Sequence, residues 1–198
     1  MYKRQDVADV IRPHPEVVAF LRGLRDDDTL DGLAGVAGGR EAHDALSAFL
    51  DSYGMRCVGE IDISRPRWSE RPAALVPVLL GHVENVEPGV GRRRFERGRQ
   101  AAWEKERELL ERVRALPDGA RRAAETKAVV DRLRTFIGYR EFPKFAMVSR
   151  YSVYKRALMG EAERLVRDGV LHDRDDISYL RFEELHDCLL YTSDAADE

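Results

Sequence analysis

Hydrophobic residues recur at helical spacing along most of the chain, and prolines and glycines separate the helical stretches. In the first 25 residues the spacing predicts two short helices, because Pro13 breaks the first and Pro15 suits the opening turn of the second. Another helix is predicted over residues 40–53, where Gly54 ends it, and a further one over residues 73–83.

Three longer amphipathic helices are predicted in the second half of the chain, over residues 92–116, after a Pro-Asp-Gly turn, and after Pro143. Asp118 of that turn is a candidate N-cap. Their predicted buried stripes are, in order, Phe95, Ala102, Leu109, Val113 and Leu116; Ala123, Val130, Leu133 and Ile137; and Met147, Tyr151, Tyr154, Leu158 and Leu165. Three such stripes predict an all-α, antiparallel helical bundle without a sheet of three or more strands.

Residues 56–71 lack helical periodicity and contain a proline, so an ordered loop is predicted there. Its charged residues are Arg56, Glu60, Asp62, Arg65 and Arg67. Paired carboxylates in an apolar stretch can perform acid–base chemistry, although a structural ion-pair network is the preferred interpretation. Cys57 and Trp68 are predicted to be buried in the core.

Composition and charge are those of an ordinary globular protein: 43% of the 198 residues are hydrophobic and 35% are charged, with a formal net charge of −3. This balance gives no electrostatic reason to expect nucleic acid or an anionic membrane as a partner. The two cysteines, Cys57 and Cys188, have no ligand spacing, so neither a disulfide framework nor a metal site is predicted. No signal peptide or spanning segment is recognisable, and a cytoplasmic location is expected.

Several segments carry a specific family resemblance. They read FLDSYGMRCVGEIDISRPRWSERP at 49–72, RRRFERGRQ at 92–100, ETK at 125–127, FIGYREFPKF at 136–145 and YSVYKRAL at 151–158. They resemble the middle domain of rifampicin phosphotransferases, relatives of phosphoenolpyruvate synthase and pyruvate phosphate dikinase. The resemblance runs from about residue 49 to residue 184.

The resemblance implies an enzyme that moves the β-phosphate of ATP to a histidine and then to a rifamycin hydroxyl, yielding AMP and phosphate. ATP and Mg²⁺ would be bound by an ATP-grasp domain of the parent chain, and a swivelling domain would carry the phosphohistidine. This chain would supply only the acceptor site, with no catalytic residue and no cofactor of its own. The glycines of this chain do not match a phosphate-binding loop, and its histidines do not match the phosphohistidine of the family. The histidines, read as surface or packing residues, are His14, His43, His82, His172 and His186.

The family motif YREFPK carries the substrate-binding assignment to Arg140, Glu141 and Lys144. In a helix, Arg140 and Lys144 would be like charges one turn apart, which is unfavourable unless an acceptor group lies between them. The alternative is that Glu141 or a carboxylate of a neighbouring helix neutralises the pair. Met147 and Tyr151 are predicted either to line a pocket for an apolar ligand or to belong to the core.

Two alternative functions remain open. One is a phosphoenolpyruvate synthase-like enzyme whose acceptor is pyruvate or another small molecule. The other is a non-enzymatic helical interaction module, for which the arginine-rich residues 92–99 are the candidate surface. Acidic residues follow this run in the sequence. The preferred interpretation of residues 92–99 is therefore the solvated start of a helix or a contact with the ATP-grasp domain.

The two ends of the sequence suggest part of a longer protein. Residues 1–187 are assigned to a partial helical domain that binds rifampicin. Residues 188–198 resemble nothing in the family and have no helical stripe, so they are interpreted as a non-native read-through tail.

Overall fold

The computed structural model describes residues 4–25 and 28–194, with side chains as far as residue 188, and contains no strand among those residues. Its α-helices are α1 (Arg4–Ile11), α2 (Pro15–Gly23), α3 (Gly39–Tyr53), α4 (Val76–Asn85), α5 (Val90–Arg114), α6 (Gly119–Phe136), α7 (Phe142–Arg167) and α8 (Phe182–Asp194). Short 3₁₀ helices span Leu33–Gly35, Pro72–Leu75, Ile137–Glu141 and Arg174–Tyr179. The all-α prediction is confirmed.

A cluster of buried apolar side chains joins α1, α2, α3 and α4. Its members are Val7, Ile11, Val17, Leu21, Leu33, Ala42, Leu46, Phe49, Leu75, Val76 and Leu79. Fully burying one large aliphatic side chain contributes about 1.5–3 kcal/mol, so this cluster is a major source of stability. It also holds the helices that form one wall of the candidate site.

Helices α5 and α6 form an antiparallel hairpin. Within it, Leu110 of α5 and Ala123 of α6 are buried. Glu106 of α5 lies 3.3 Å from the ammonium of Lys127 and also accepts a hydrogen bond from Arg134. Buried apolar residues and charged contacts therefore both join these two helices.

The buried stripe predicted for α5 is wrong. Leu109 and Leu116 are 43% and 49% exposed, and the buried residue is Leu110 instead. The face of α5 that meets α6 carries Glu106 and Leu110, so the contact is centred to one side of the predicted stripe. Likewise, the predicted bundle of the three long helices is not confirmed, because the main buried cluster lies among α1 to α4.

The turn before α6 places Asp118 at the N-cap as predicted, but its side chain makes no capping hydrogen bond. Its φ of 56° lies in the left-handed region, which aspartate tolerates better than most residues. Helix α6 therefore begins without a side-chain cap from Asp118.

Helix α7 packs against the 3₁₀ helix Arg174–Tyr179, and α8 follows. Helix α8 extends into the segment interpreted as a read-through tail, since it continues to Asp194. Residues 188–194 contain neither proline nor glycine, and adding a residue to an existing helix is much easier than starting one. Residues 195–198 lie outside the described residues. In the described part of the chain, no helix has both the length and the apolar character to cross a bilayer.

Candidate functional site

The loop between α3 and the 3₁₀ helix Pro72–Leu75 closes on itself. The backbone N–H of Trp68 donates to the carbonyl of Arg56 at 2.9 Å, and that of Ser69 donates to the carbonyl of Gly54 at 2.9 Å. Its two ends thus lie side by side, as in compact Ω-type loops. The prediction of an ordered loop is confirmed, and we call residues 56–71 the closed loop.

Arg67 fills the interior of the closed loop. Only 1% of the residue is exposed, and its guanidinium donates to the carbonyls of Glu60 at 2.9 Å and Asp62 at 3.1 Å. It also donates to the sulfur of Cys57 at 3.1 Å. In a segment without helix or strand hydrogen bonds, these contacts satisfy backbone carbonyls that burial would otherwise leave unpaired.

Glu60 connects the closed loop to α7. Its carboxylate accepts two hydrogen bonds of 2.7 Å from Arg56 and lies 2.8 Å from the ammonium of Lys144. The Arg56 hydrogen bond holds the pKa of Glu60 at about 2, below the ordinary 4.5; burial opposes this shift and Lys144 adds to it. Glu60 is therefore ionised at neutral pH.

An open cleft of about 1060 Å³ lies beside this ion-pair cluster, between the closed loop, the core helices and the start of α7. Its walls combine aromatic side chains with a few polar groups. The lining residues are Arg4 and Gln5 of α1, Phe49 and Tyr53 of α3, residues 56–62 and Trp68 of the closed loop, His82 of α4, and Lys144 of α7. A concave site with apolar walls and a small number of orienting polar groups is typical of small-molecule binding.

Comparison with known proteins identifies the family. The family model described as the rifampicin phosphotransferase fourth domain matches residues 5–141, which is more than half of the chain. The chain belongs to the rifampicin phosphotransferase family. The matched residues include the closed loop and most of the cleft lining.

Curated relatives share this family name. A rifampicin phosphotransferase of Streptomyces sviceus is 67% identical over 182 residues, and one of Bacillus subtilis is 56% identical over 182 residues. Another, from Bacillus cereus, is 54% identical over 182 residues. Each alignment covers 92% of this chain and 21% of the relative. The chain therefore spans about a fifth of the length of the curated rifampicin phosphotransferases it matches.

Among the substrate-binding residues predicted from the sequence, Lys144 lines the cleft. Arg140 lies in the preceding 3₁₀ helix and pairs with Glu141 at 2.8 Å, and both side chains are largely exposed. Met147 and Tyr151 are half-buried farther along α7 and are not part of the cleft lining. The two like charges thus have separate carboxylate partners: Glu141 for Arg140 and Glu60 for Lys144.

The charged residues of the closed loop differ in part from the predicted network. Asp62 pairs with Arg65 at 3.5 Å, and Glu60 pairs with Arg56, as a local network requires. The guanidinium of Arg67, however, donates to backbone carbonyls and to sulfur. Short loops leave carbonyls unpaired, and a guanidinium with five N–H donors can serve several at once.

The predictions for Cys57 and Trp68 need correction, since both are half-buried and line the cleft. Trp68 packs its ring against Phe49 at 5.9 Å between centroids. Sequence reasoning also missed Phe49, Tyr53 and His82 as cleft residues, because helical periodicity marks a buried face without showing where that face is left uncovered.

No group of three or more His, Cys, Asp or Glu side chains that could hold a metal ion occurs among the described residues.

Proposed function

We propose that this chain holds the acceptor for ATP-dependent phosphorylation of a rifamycin hydroxyl, and that the cleft beside the closed loop binds it. In this proposal, ATP and Mg²⁺ are bound by other domains of a longer enzyme. The β-phosphoryl group passes to a histidine there and then to the hydroxyl, with AMP and inorganic phosphate as the other products. This chain contributes by binding and orienting the hydroxyl, which lowers the entropic cost of the transfer.

The observation that carries the proposal is the size and lining of the cleft. A volume of about 1060 Å³ suits a large ligand and far exceeds what a three-carbon acid such as pyruvate occupies. Phe49, Tyr53 and Trp68 give it an aromatic wall, which can pack against the rings of a large polycyclic molecule.

Lys144 is the proposed polar contact within the cleft. Its ammonium has three N–H donors, and the contact with Glu60 at 2.8 Å uses one of them. The side chain is about half exposed, so the remaining donors are open to a ligand. Rifamycins carry acidic naphthol oxygens that suit such a donor. Because Glu60 holds Lys144 in place, little side-chain entropy remains to be lost on binding.

Arg140 and Glu141 remain in the proposal as contacts at the mouth of the site, directly before α7. Their side chains are 77% and 74% exposed and satisfy each other, so a ligand group that bonds one must displace the other. We expect their contribution to be smaller than that of Lys144. Met147 and Tyr151, half-buried on α7, complete the proposed acceptor surface as apolar contacts beyond the cleft.

The experiment compares rifampicin binding by the chain with Lys144→Met, Arg140→Met and the matched control Lys105→Met, which removes an exposed lysine from α5. Trp68 and Trp103 are the chain's two tryptophans, so a Trp103→Phe background leaves Trp68 as a fluorescent reporter in the cleft. Lys144→Met should weaken binding by about 1–3 kcal/mol, the usual cost of losing a charged hydrogen-bond partner. Lys105→Met should leave the dissociation constant unchanged.

Kinetics require a full-length chimera in which this chain replaces the matching segment of the Streptomyces sviceus relative. There, Lys144→Met should slow rifampicin phosphorylation, while labelling of the enzyme's histidine by ATP should be retained. Absence of rifampicin binding by the unsubstituted chimera would contradict the proposal. Competition by millimolar pyruvate at the Trp68 reporter would favour the small-acceptor alternative.

A further inference from the structure

Lys155 of α7 is a buried lysine that does not line the cleft. Only 6% of the residue is exposed. Its ammonium donates to the carboxylate of Glu70 at 2.6 Å, to the carbonyl of Arg65 at 2.9 Å and to the carbonyl of Ser64 at 3.4 Å. All three acceptors belong to the closed loop and are not among the residues that line the cleft, so Lys155 joins α7 to a different part of the loop.

Glu70 connects Lys155, through Arg67, to residues that line the cleft. The carboxylate oxygen that accepts from Lys155 also accepts from the backbone N–H of Arg67 at 2.9 Å. The guanidinium of Arg67 in turn holds Cys57, Glu60 and Asp62, all three of which line the cleft. A continuous series of hydrogen bonds therefore runs from Lys155 to the cleft wall.

The two lysines of α7 hold the closed loop from one face of the helix. Lys144 and Lys155 are eleven residues apart, which is about three helical turns, so their side chains leave α7 in nearly the same direction. Lys144 contacts Glu60, and Lys155 contacts Glu70. Both attachments to α7 therefore run through lysine–carboxylate pairs, one at the cleft and one buried.

Burying an ammonium group is unfavourable unless its hydrogen bonds are satisfied, and an apolar side chain at this position would avoid that cost. The contacts of Lys155 with two carbonyls and a carboxylate satisfy all three of its donors. The lysine thus gives a segment without regular secondary structure one fixed position relative to α7. That position sets where residues 57–62 stand in the cleft.

We propose that Lys155 is a positioning residue for acceptor binding, which acts by fixing the closed loop through Glu70 and Arg67. This inference rests on the proposed function, since it assumes that the cleft binds the acceptor. Lys155 itself touches neither the acceptor nor the phosphoryl group. Its removal should lower acceptor affinity and leave the phosphoryl-transfer rate at saturation almost unchanged.

The test uses Lys155→Met, Lys155→Arg and Glu70→Gln in the full-length chimera, with Arg156→Met as the matched control. Arg156 is the next residue along α7 and is exposed, so the control makes a comparable change without touching the closed loop. Rifampicin is the probe. Its dissociation constant is measured by isothermal titration calorimetry, and KM and kcat are measured for its phosphorylation.

Lys155→Met should raise both the dissociation constant and KM for rifampicin between about 10- and 100-fold, because the closed-loop residues that line the cleft would be displaced. Its kcat should stay within about threefold of the unsubstituted enzyme, since the phosphoryl-transfer groups are untouched. Lys155→Arg restores the charge and should bind more tightly than Lys155→Met. A purely structural defect would instead reduce the fraction of active enzyme, lowering kcat while KM stays the same.

Glu70→Gln decides the matter if Lys155→Met does not fold, because the amide keeps the size of the side chain and an acceptor for Arg67. It should raise KM for rifampicin by at least about threefold, the loss of a modest charged contact. The inference is overturned if the folded variants retain the KM of Arg156→Met. If the unsubstituted chimera fails to bind rifampicin at all, the proposed function is the statement that fails.

Discussion

The α1 to α4 region and the α5 to α7 region are stabilised in different ways. In the first, large aliphatic side chains such as Leu21 and Leu79 are almost completely buried against one another. In the second, fewer apolar residues are buried, and ion pairs add to them: Glu106 with Arg134 in the α5–α6 hairpin, and Glu60 and Glu70 of the closed loop with lysines of α7. The cleft lies where the two regions meet.

This contrast explains why the site has its composition. Apolar burial is non-directional and gives the core helices a stable packing, but it does not specify the position of an irregular loop. Charge-assisted hydrogen bonds are directional and short, so they can fix the position of a loop that has no helix or strand hydrogen bonds of its own. The core helix α3 therefore provides the aromatic residues Phe49 and Tyr53, and the closed loop and α7 provide the ion-paired residues Arg56, Glu60 and Lys144.

The largest expected effect is loss of stability in the apolar region. Leu79→Ala should lower the free energy of unfolding by about 2–5 kcal/mol, because it removes buried methyl groups and leaves a cavity. The matched change Leu133→Ala, at a residue of α6 that is 58% exposed, should change it by less than about 0.5 kcal/mol. Urea denaturation followed by circular dichroism measures both. Equal effects of the two substitutions would mean that the regions do not differ as described.

A smaller effect, dependent on pH, is expected at the junction between the regions. Glu60 has a pKa of about 2 in the folded protein and an ordinary value of 4.5. At about 1.4 kcal/mol per unit this shift corresponds to roughly 3 kcal/mol, which screening around the half-exposed Lys144 reduces. Glu60→Gln should therefore destabilise the protein at pH 7 by about 1–3 kcal/mol.

The sign of the pH dependence follows from the depressed pKa. Since the folded-state value lies below the unfolded one, the contribution of Glu60 is complete above pH 4.5 and declines as the pH falls towards 2. The stability difference between the unsubstituted chain and Glu60→Gln should shrink over that interval. Chemical denaturation at a series of pH values measures it. A difference that stays constant from pH 7 to pH 3 would show that the ion pair does not act as described.

The smallest effect is expected in the α5–α6 hairpin. Glu106→Gln weakens the contacts with Lys127 and Arg134, whose side chains are partly exposed, and should cost less than about 1 kcal/mol. Amide exchange should accelerate in α5 and α6 and remain unchanged in α3. Acceleration throughout α3 as well would show that the hairpin and the apolar core unfold as one unit. In high salt the difference between the two proteins should decrease.

Helix positions could be predicted from the sequence because the residues that begin and end a helix act locally. The helix predicted over residues 40–53 is α3, and the long helices begin and end near the predicted prolines and glycines. The closed loop was recognisable from its lack of periodicity. The buried face of α5 was not, since Leu109 and Leu110 are both apolar and only the packing against α6 decides which of them is covered.

The candidate site could be predicted from the sequence only in part. The motif YREFPK pointed to Lys144, and the structure brings that residue to the cleft. Nothing in the order of residues indicated that its partner is Glu60, which is 84 positions earlier, or that Lys155 holds Glu70, 85 positions earlier. Helical spacing alone assigned Tyr151 and Tyr154 to the buried stripe of α7 and passed over Lys155, which directly follows Tyr154 and is buried.

Local chemistry thus set the all-α fold, the helix ends and the irregular loop, because backbone propensity and turn residues act within a few positions of themselves. Family membership also rests on the order of residues. The cleft, the depressed pKa of Glu60 and the burial of Lys155 arise from contacts between segments far apart in the chain. Such contacts depend on distance, direction and exclusion of water, and only the folded chain specifies these three quantities.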